Sequence, residues 1–390
     1  MNLDLDRSTW RRVTLGGVVK NVNVTVKDPA DVGIDRVIAM EHLDPGDLKI
    51  HRWGDIASGT TFTRRVRPGQ TLFGKRRAYQ RKVAYVDFDA ICSGDILTFE
   101  PDPAQMLSAF LPFIVQGDDF YDHALGTSAG SLSPRTNWRD LSSFEFDLPP
   151  LDEQERIADL LWAVDREERS LRDLLRHLRS VQEVLISKHF VTTGAGTLAD
   201  LCARDGIRIG PFGAQLHASD YVPDGDCAVV MPQDMVQGRV STKSIQRISR
   251  QRAEDLASHR VTAGDILLPR RGELDRRALV TDDQEGWLCG TGSVRVRVRD
   301  GVSTRAVFLA LSSAATVQWL RANATGTTMP NLNTSIVSKI PVSVPSGREL
   351  ERALREVDAA EGALAAATTR LQAAARLRSS LLADVFGVAA

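Results

Sequence analysis

Ten basic side chains stand between positions 49 and 82: Lys49, Arg52, Arg64, Arg65, Arg67, Lys75, Arg76, Arg77, Arg81 and Lys82, against one acid in the same stretch, Asp55. Such a cluster suits a nucleic-acid backbone, because each phosphate neutralised releases condensed counterions. Arginine forks also read the guanine edge bidentately. A looser cluster follows at 239–277, where Arg270, Arg271, Arg276 and Arg277 are mixed with Glu273 and Asp275. One charge run alone reads as a solvated face; its recurrence favours contact with nucleic acid. Trp53, Phe73, Tyr79 and Tyr85 interleave with the first cluster, and strand packing explains most of them as well as base stacking would. Two polar loops, 126–137 and 326–333, carry Ser128 and Arg135, then Thr327, Thr328, Asn331 and Asn333. Such side chains donate to phosphates or base edges, and they suit a capping turn equally; the sequence leaves both readings open. The candidate DNA contacts are therefore Lys75, Arg76, Arg77, Tyr79, Arg81, Lys82, Ser128 and Arg135 in the first half. In the second half they are Arg270, Arg271, Arg276, Arg277, Thr327, Thr328, Asn331 and Asn333.

Catalytic patterns fail on inspection. Residues 69–75 fit G-x-x-x-x-G-K, but Arg76 stands where a serine or threonine would hold magnesium, and 64–68 does not read as a buried strand. Gly290-Thr291-Gly292 lacks the third glycine of a dinucleotide fingerprint. There is no H-E-x-x-H, and no asparagine precedes two prolines as in the adenine-methyltransferase tetrad. The histidines show no metal-ligand spacing. The reading is a protein with no catalytic, cofactor or metal residues of its own.

The elements that must position these side chains come in two copies. Segments 157–189 and 350–382 carry apolar residues at alternating steps of four and three, a helical coiled-coil pattern. The first seam holds Ile157, Leu161, Val164, Glu168, Leu171, Leu175, Leu178, Gln182, Leu185 and His189. The second holds Leu350, Leu354, Val357, Glu361, Leu364, Thr368, Leu371, Ala375, Arg378 and Leu382. Glu168 and Glu361 occupy equivalent seam positions, where they fix register or face a partner subunit. Each helix follows a strand-like segment ending in proline, 144–150 and 340–345. Pro68-Gly69-Gln70-Thr71-Leu72 matches Ala263-Gly264-Asp265-Ile266-Leu267, and the second copy replaces Gly74-Lys75 with Pro269-Arg270. Short Val- and Ile-rich runs at 83–86, 95–99, 228–231 and 294–298 read as strands, and 104–115 and 304–322 as helices. The predicted fold is α+β: two duplicated domains joined by two long antiparallel coiled-coil helices. Their bounds are 1–150 and 191–347 for the domains, 151–190 and 348–390 for the helices, with a hinge at 192–196.

The 390 residues, 43% hydrophobic and 25% charged, exclude disorder, and a net charge of -1 excludes a uniformly basic coat. Cys92, Cys202, Cys227 and Cys289 lie far apart and read as reduced thiols. No run approaches the roughly 18 apolar residues of a membrane span, and the first twelve are polar, which places the protein in the cytoplasm.

The run Leu148-Pro149-Pro150-Leu151-Asp152-Glu153-Gln154-Glu155-Arg156-Ile157, leading into a heptad helix, resembles the central conserved region of type I restriction-modification specificity subunits. The Gly210-Pro211-Phe212-Gly213 turn, the Gly264-Asp265-Ile266-Leu267 strand and the 326–333 loop resemble the same family's target-recognition domains. The second copy departs from the pattern, since Ser346-Gly347-Arg348-Glu349-Leu350 lacks the glutamine and its helix is rich in alanine. The resemblance implies a non-catalytic subunit whose two domains each read half of a bipartite site in double-stranded DNA. It implies two methyltransferase subunits as partners, carrying S-adenosylmethionine, and restriction subunits with ATP and Mg where these join. Helices of this length span roughly 50 Å, an upper bound of about 15 base pairs between half-sites. The alternatives are the same architecture in another DNA-modification or phage-defence system, a P-loop enzyme using 69–75, and a coiled-coil adaptor for proteins alone.

Overall fold

A computed structural model describes residues 5–130, 133–190, 196–326 and 331–387. The chain forms two compact units, Met1–Asp173 with Thr368–Ala390, and Leu174–Ala367. The expected hinge falls almost wholly outside the described residues.

The first unit is built on β1 (Val19–Asn21), β2 (Thr71–Gly74), β3 (Val83–Tyr85) and β4 (Ile96–Pro101), ordered β1-β4-β2-β3 with every pair antiparallel. A second sheet runs Gly54–Asp55, Arg36–Ile38, Ala90–Cys92, Arg64–Val66, with a parallel pair at its centre. Phe73, Phe99, Phe110, Phe113, Phe120 and Tyr121 are fully buried between the first sheet and its helices. Phe73 meets Phe120 edge-on at 5.4 Å between ring centroids, the arrangement aromatic quadrupoles favour.

The second unit repeats this plan. Its strands β5 (Cys202–Ile209), β6 (Ile266–Pro269), β7 (Ala278–Leu279) and β8 (Ser293–Val298) are ordered β5-β8-β6-β7, again antiparallel. The Gln246–Ile248, Cys227–Val230, Leu288–Cys289 sheet likewise contains a parallel pair, here between its central strand and Leu288–Cys289. The turn before the central strand has glycine at the same place in both units, Gly69 at φ 86° and Gly264 at φ 88°. A side chain there would face the steric cost of the left-handed region. The next residue is buried and paired to the neighbouring strand in both units, but with the polarity exchanged. Gln70 donates to Glu100 at 2.7 Å, whereas Asp265 accepts two bonds from Arg297 at 2.8 and 2.7 Å.

Two helices, α1 (Leu151–His189) and α2 (Gly347–Phe386), are each shared between the units. In the first unit Ile157, Leu161 and Val164 of α1 join Leu381 and Val385 of α2 in one core. In the second, Gln182 meets Glu361 and His189 meets Glu356, so the helices run antiparallel. The α1 seam follows the heptad reading from Ile157 to Leu175, with Leu171 buried and Leu178 only half-buried. The α2 seam is displaced. Ala353, Val357, Ala360, Ala367 and Leu381 are buried, whereas Thr368 is exposed, and Leu364, Leu371, Ala375 and Leu382 are half-buried. Leu350 and Leu354 instead pack on the rim of the second unit's core. A reading weighted toward large apolar residues passes over these buried alanines and picks the neighbouring leucines. Glu168 and Glu361 are consequently not equivalent. Glu168 is wholly buried between Arg172 and Arg378, while Glu361 is partly exposed and pairs with Arg305.

Other expectations change at identifiable residues. The 104–115 helix begins only at Leu111, with Pro112 in its first turn, where a missing N–H costs nothing. The 304–322 helix is two helices, split where the Ser313 hydroxyl accepts from the Thr316 amide at 3.2 Å. Segment 340–345 makes one isolated bridge, Pro341 with Thr197, because proline has no N–H for a ladder. The four cysteines are free, and burial pushes Cys92 up to about 11 and Cys289 up to about 12. No helix among the described residues is long and apolar enough to cross a membrane.

Candidate nucleic-acid interface

β2 ends at Gly74 and delivers Lys75, Arg76 and Arg77 into a turn that the polar loop stitches in place. The Lys75 amide donates to the Asp95 carbonyl at 3.0 Å, the Arg77 amide to the Pro134 carbonyl at 2.8 Å, and the Thr136 amide to the Lys75 carbonyl at 3.1 Å. Arg76 and Arg135 form a β-bridge, as do Ala129 and Arg135. The second unit repeats the stitching after β6. The Arg270 amide donates to the Gly292 carbonyl at 2.6 Å and the Leu332 amide to the Arg270 carbonyl at 2.8 Å. Bridges join Arg271 to Asn331 and Thr325 to Asn331. Basic turn and polar loop, far apart in sequence, thus form one surface in each unit.

The side chains differ between the copies. Arg76 donates from Nε to the Ser133 hydroxyl at 2.7 Å, and its Nη1 lies 3.6 Å from Asp95. Arg135 Nη2 approaches the other oxygen of the same carboxylate at 3.3 Å. Arg77 holds a left-handed backbone, φ 55°, as does Arg81 at φ 51°, so the turn between them is fixed at some conformational cost. Arg270 lies over the Phe212 ring at 5.4 Å; burial, and then neighbouring Arg271, hold its pKa below the usual arginine value. Among the described residues the side chains of Lys75, Arg77 and Arg271 have no partner.

Other candidates are committed elsewhere. Arg81 pairs with Asp118 and covers Tyr121, and Lys82 donates to the Met40 carbonyl at 2.6 Å. Arg276 pairs with Glu273 at 2.7 Å. Arg277 donates to the Leu311 and Asp275 carbonyls, and burial lowers its pKa to about 10. These two arginines anchor the turn before β7 and do not join the Arg270–Asn331 surface. Ser128 donates to the Ala124 carbonyl and Asn333 caps helix Thr334–Ser338, so the capping reading holds for both. Tyr79 is exposed, Phe73 is core, and Tyr85 lies against Trp162. Thr327 and Thr328 lie outside the described residues.

Much of the first basic run is answered by acids from elsewhere in the chain: Arg52 by Asp44, Arg65 by Asp89, Arg81 by Asp118, Arg76 by Asp95. Asp95, which orients two candidate arginines, escaped the sequence reading, as did Phe212 beneath Arg270. Segment 69–75 is no phosphate loop. It contains a strand with Thr71, Leu72 and Phe73 buried, bonded to neighbours on both sides. The segment before it, read as no buried strand, holds the strand Arg64–Val66, paired with Ala90–Cys92, in which only Val66 is buried. Among the described residues no group of three or more His, Cys, Asp or Glu side chains could hold a metal ion.

Duplicated α+β units each present an arginine turn laced to a polar loop, and each contributes to one pair of long helices. Residues 8–176 match the type I restriction modification DNA specificity domain. The similarity to this family's domain covers less than half of the chain. Over 178 residues it is 27% identical to the type I restriction enzyme EcoDI specificity subunit of Escherichia coli; the match spans 44% of this chain and 39% of that relative. The fold also matches a chain from a structure describing complex assembly and conformational transition of the type I R-M system, with TM-score 0.61 and 18% identity over 97% of both chains. A similar match is to the type I restriction-modification S subunit of M. genitalium, with TM-score 0.59 and 14% identity over 100% of this chain and 98% of that one.

Proposed function

We propose that this chain is the sequence-reading subunit of a type I restriction-modification complex, each unit contacting one half of a bipartite site in double-stranded DNA. The observation that carries this reading is the stitching of an arginine turn to a polar loop at equivalent places in both units, Arg76 with Arg135 and Arg271 with Asn331. Contacts come from Lys75, Arg76, Arg77, Tyr79 and Arg135 in one unit and from Arg270, Arg271 and Asn331 in the other. Two methyltransferase subunits dock on the scaffold and bring S-adenosylmethionine; ATP and Mg belong to restriction subunits where these join. The chain itself is non-catalytic and works in the cytoplasm. Methylation-sensitive sequencing of host DNA with and without the gene tests this. A gapped, two-part methylated motif that vanishes on deletion supports the reading, and unchanged methylation refutes it.

A further inference from the structure

We infer that Asp95 is a positioning residue that makes guanine readers of Arg76 and Arg135, so that guanine discrimination in the half-site met by the first unit depends on this three-residue cluster. The inference rests on the DNA-reading function proposed above and adds a base and the residues that read it. One carboxylate lies 3.6 Å from one guanidinium and 3.3 Å from the other, and it is itself about one-quarter exposed. Ser133 accepts from Nε of Arg76 on the remaining side. Both forks are therefore held in orientation from beneath, while about half of each side chain stays open to solvent.

An acid in this place separates the two things an arginine does to DNA. A phosphate contact works through charge, and a carboxylate beside the guanidinium repels the phosphate and cancels the counterion release that drives the contact. A guanine contact works through direction, because O6 and N7 are neutral acceptors met by two N–H groups in one plane. A buttressing carboxylate fixes that plane and lowers the entropy lost when the fork docks. The cluster thus gives up phosphate affinity for orientation.

The second unit supplies an internal contrast. The carbonyl that receives the amide of the turn belongs to Asp95 in the first unit and to Gly292 in the second, so no carboxylate stands beneath Arg271. Asn331 takes the place of Arg135. Arg271 has no partner among the described residues and is a free cation, suited to phosphate.

The test uses the full chain assembled with its methyltransferase partner and duplexes carrying the complex's own site. Each guanine of the first unit's half-site is replaced in turn by 7-deazaguanine, which lacks the N7 acceptor, or by adenine. The parent should lose about 10-fold or more in affinity at one or two of these positions. Asp95→Asn should lose about 10-fold on the cognate duplex and nothing further on the substituted ones, while discrimination in the other half-site persists. Arg135→Lys, which keeps the charge and loses the fork, should give the same collapse at an unchanged salt slope. It answers the question even if Asp95→Asn disturbs the loop. The inference is overturned if both variants discriminate guanine like the parent, if both change affinity equally for every sequence, or if 7-deazaguanine is tolerated throughout that half-site. A parent complex that discriminates no DNA sequence overturns the proposed function itself, an outcome distinct from parent-like discrimination by the variants.

Discussion

Glu168 is a carboxylate with no exposed surface, placed in the helix seam of the first unit, and its two arginines invite unequal experiments. Arg172 Nη2 donates to it at 2.6 Å, and Arg378 Nε stands 3.4 Å from its other oxygen as an ion pair without hydrogen-bond geometry. At 3.4 Å and an effective dielectric near 20 the attraction to Arg378 is about 5 kcal/mol. The Arg378 side chain is 22% exposed, and solvent screening reduces that figure by roughly half. Arg378→Met keeps the aliphatic stem, loses the charge and leaves Glu168 with one partner, at an expected cost of about 2–3 kcal/mol. Glu168→Met removes the buried carboxylate together with its desolvation penalty, so it should lie within about 1 kcal/mol of the parent or above it. Urea unfolding followed by circular dichroism reads both. In thermal melts Arg378→Met should lower Tm by about 4–8 °C. Glu168→Met destabilising more than Arg378→Met, or Arg378→Met melting like the parent, would refute a seam in which the arginine serves the acid.

Leu171→Asp should destabilise by several kcal/mol, since it places an unpaired carboxylate at a buried seam position, whereas Leu178→Asp should cost clearly less because Leu178 is half-buried; equal melts would contradict the seam. His259 is buried beside Arg208 and Arg295, and burial, then those cations, hold its pKa below the ordinary 6.5. The folded protein therefore binds fewer protons there than the unfolded one. The stability it contributes is complete above about pH 6.5 and declines as pH falls from there toward the lowered folded pKa; His259→Gln should flatten that part of the stability-pH curve. Arg76→Ala or Arg77→Ala should impair recognition of one half-site and Arg270→Ala or Arg271→Ala the other, measured with oligonucleotides altered in either half. Loss of a phosphate contact such as Arg271 should lower the salt slope by about one unit, and substitutions in both units affecting the same half-site would count against the division.

The fold was legible wherever its signal is local. Heptad spacing marked both long helices, and the match of 68–72 with 263–267 marked the turns before β2 and β6 as equivalent, because periodicity and turn chemistry are written in neighbouring residues. Boundaries set by one side chain were less visible, as with Ser313 capping a second helix inside an apolar run. The α2 seam misled because Ala353, Ala360 and Ala367 are small, and the spacing of the leucines beside them is the stronger signal. At the interface the arginines could be found, yet their partners could not. Asp44, Asp89, Asp95 and Asp118 reach the basic run through the folded sheet, so a run that reads as nearly pure positive charge holds few uncommitted cations. Arg276 and Arg277 looked equivalent to Arg270 and Arg271 in composition, and only the placement of β7 shows that they bond inward.

The division of the two helices also sets an order of events during synthesis. The second unit is one unbroken stretch, Leu174–Ala367, whereas the first needs Thr368 onward to close, since Leu381 and Val385 complete the core around Phe110 and Ile157. A ribosome moving from the amino end therefore releases the later unit in a state able to finish before the earlier one. Until the last turns of α2 emerge, the first unit must wait with aromatic surface uncovered, and closure of a loop of nearly two hundred residues becomes its slow step.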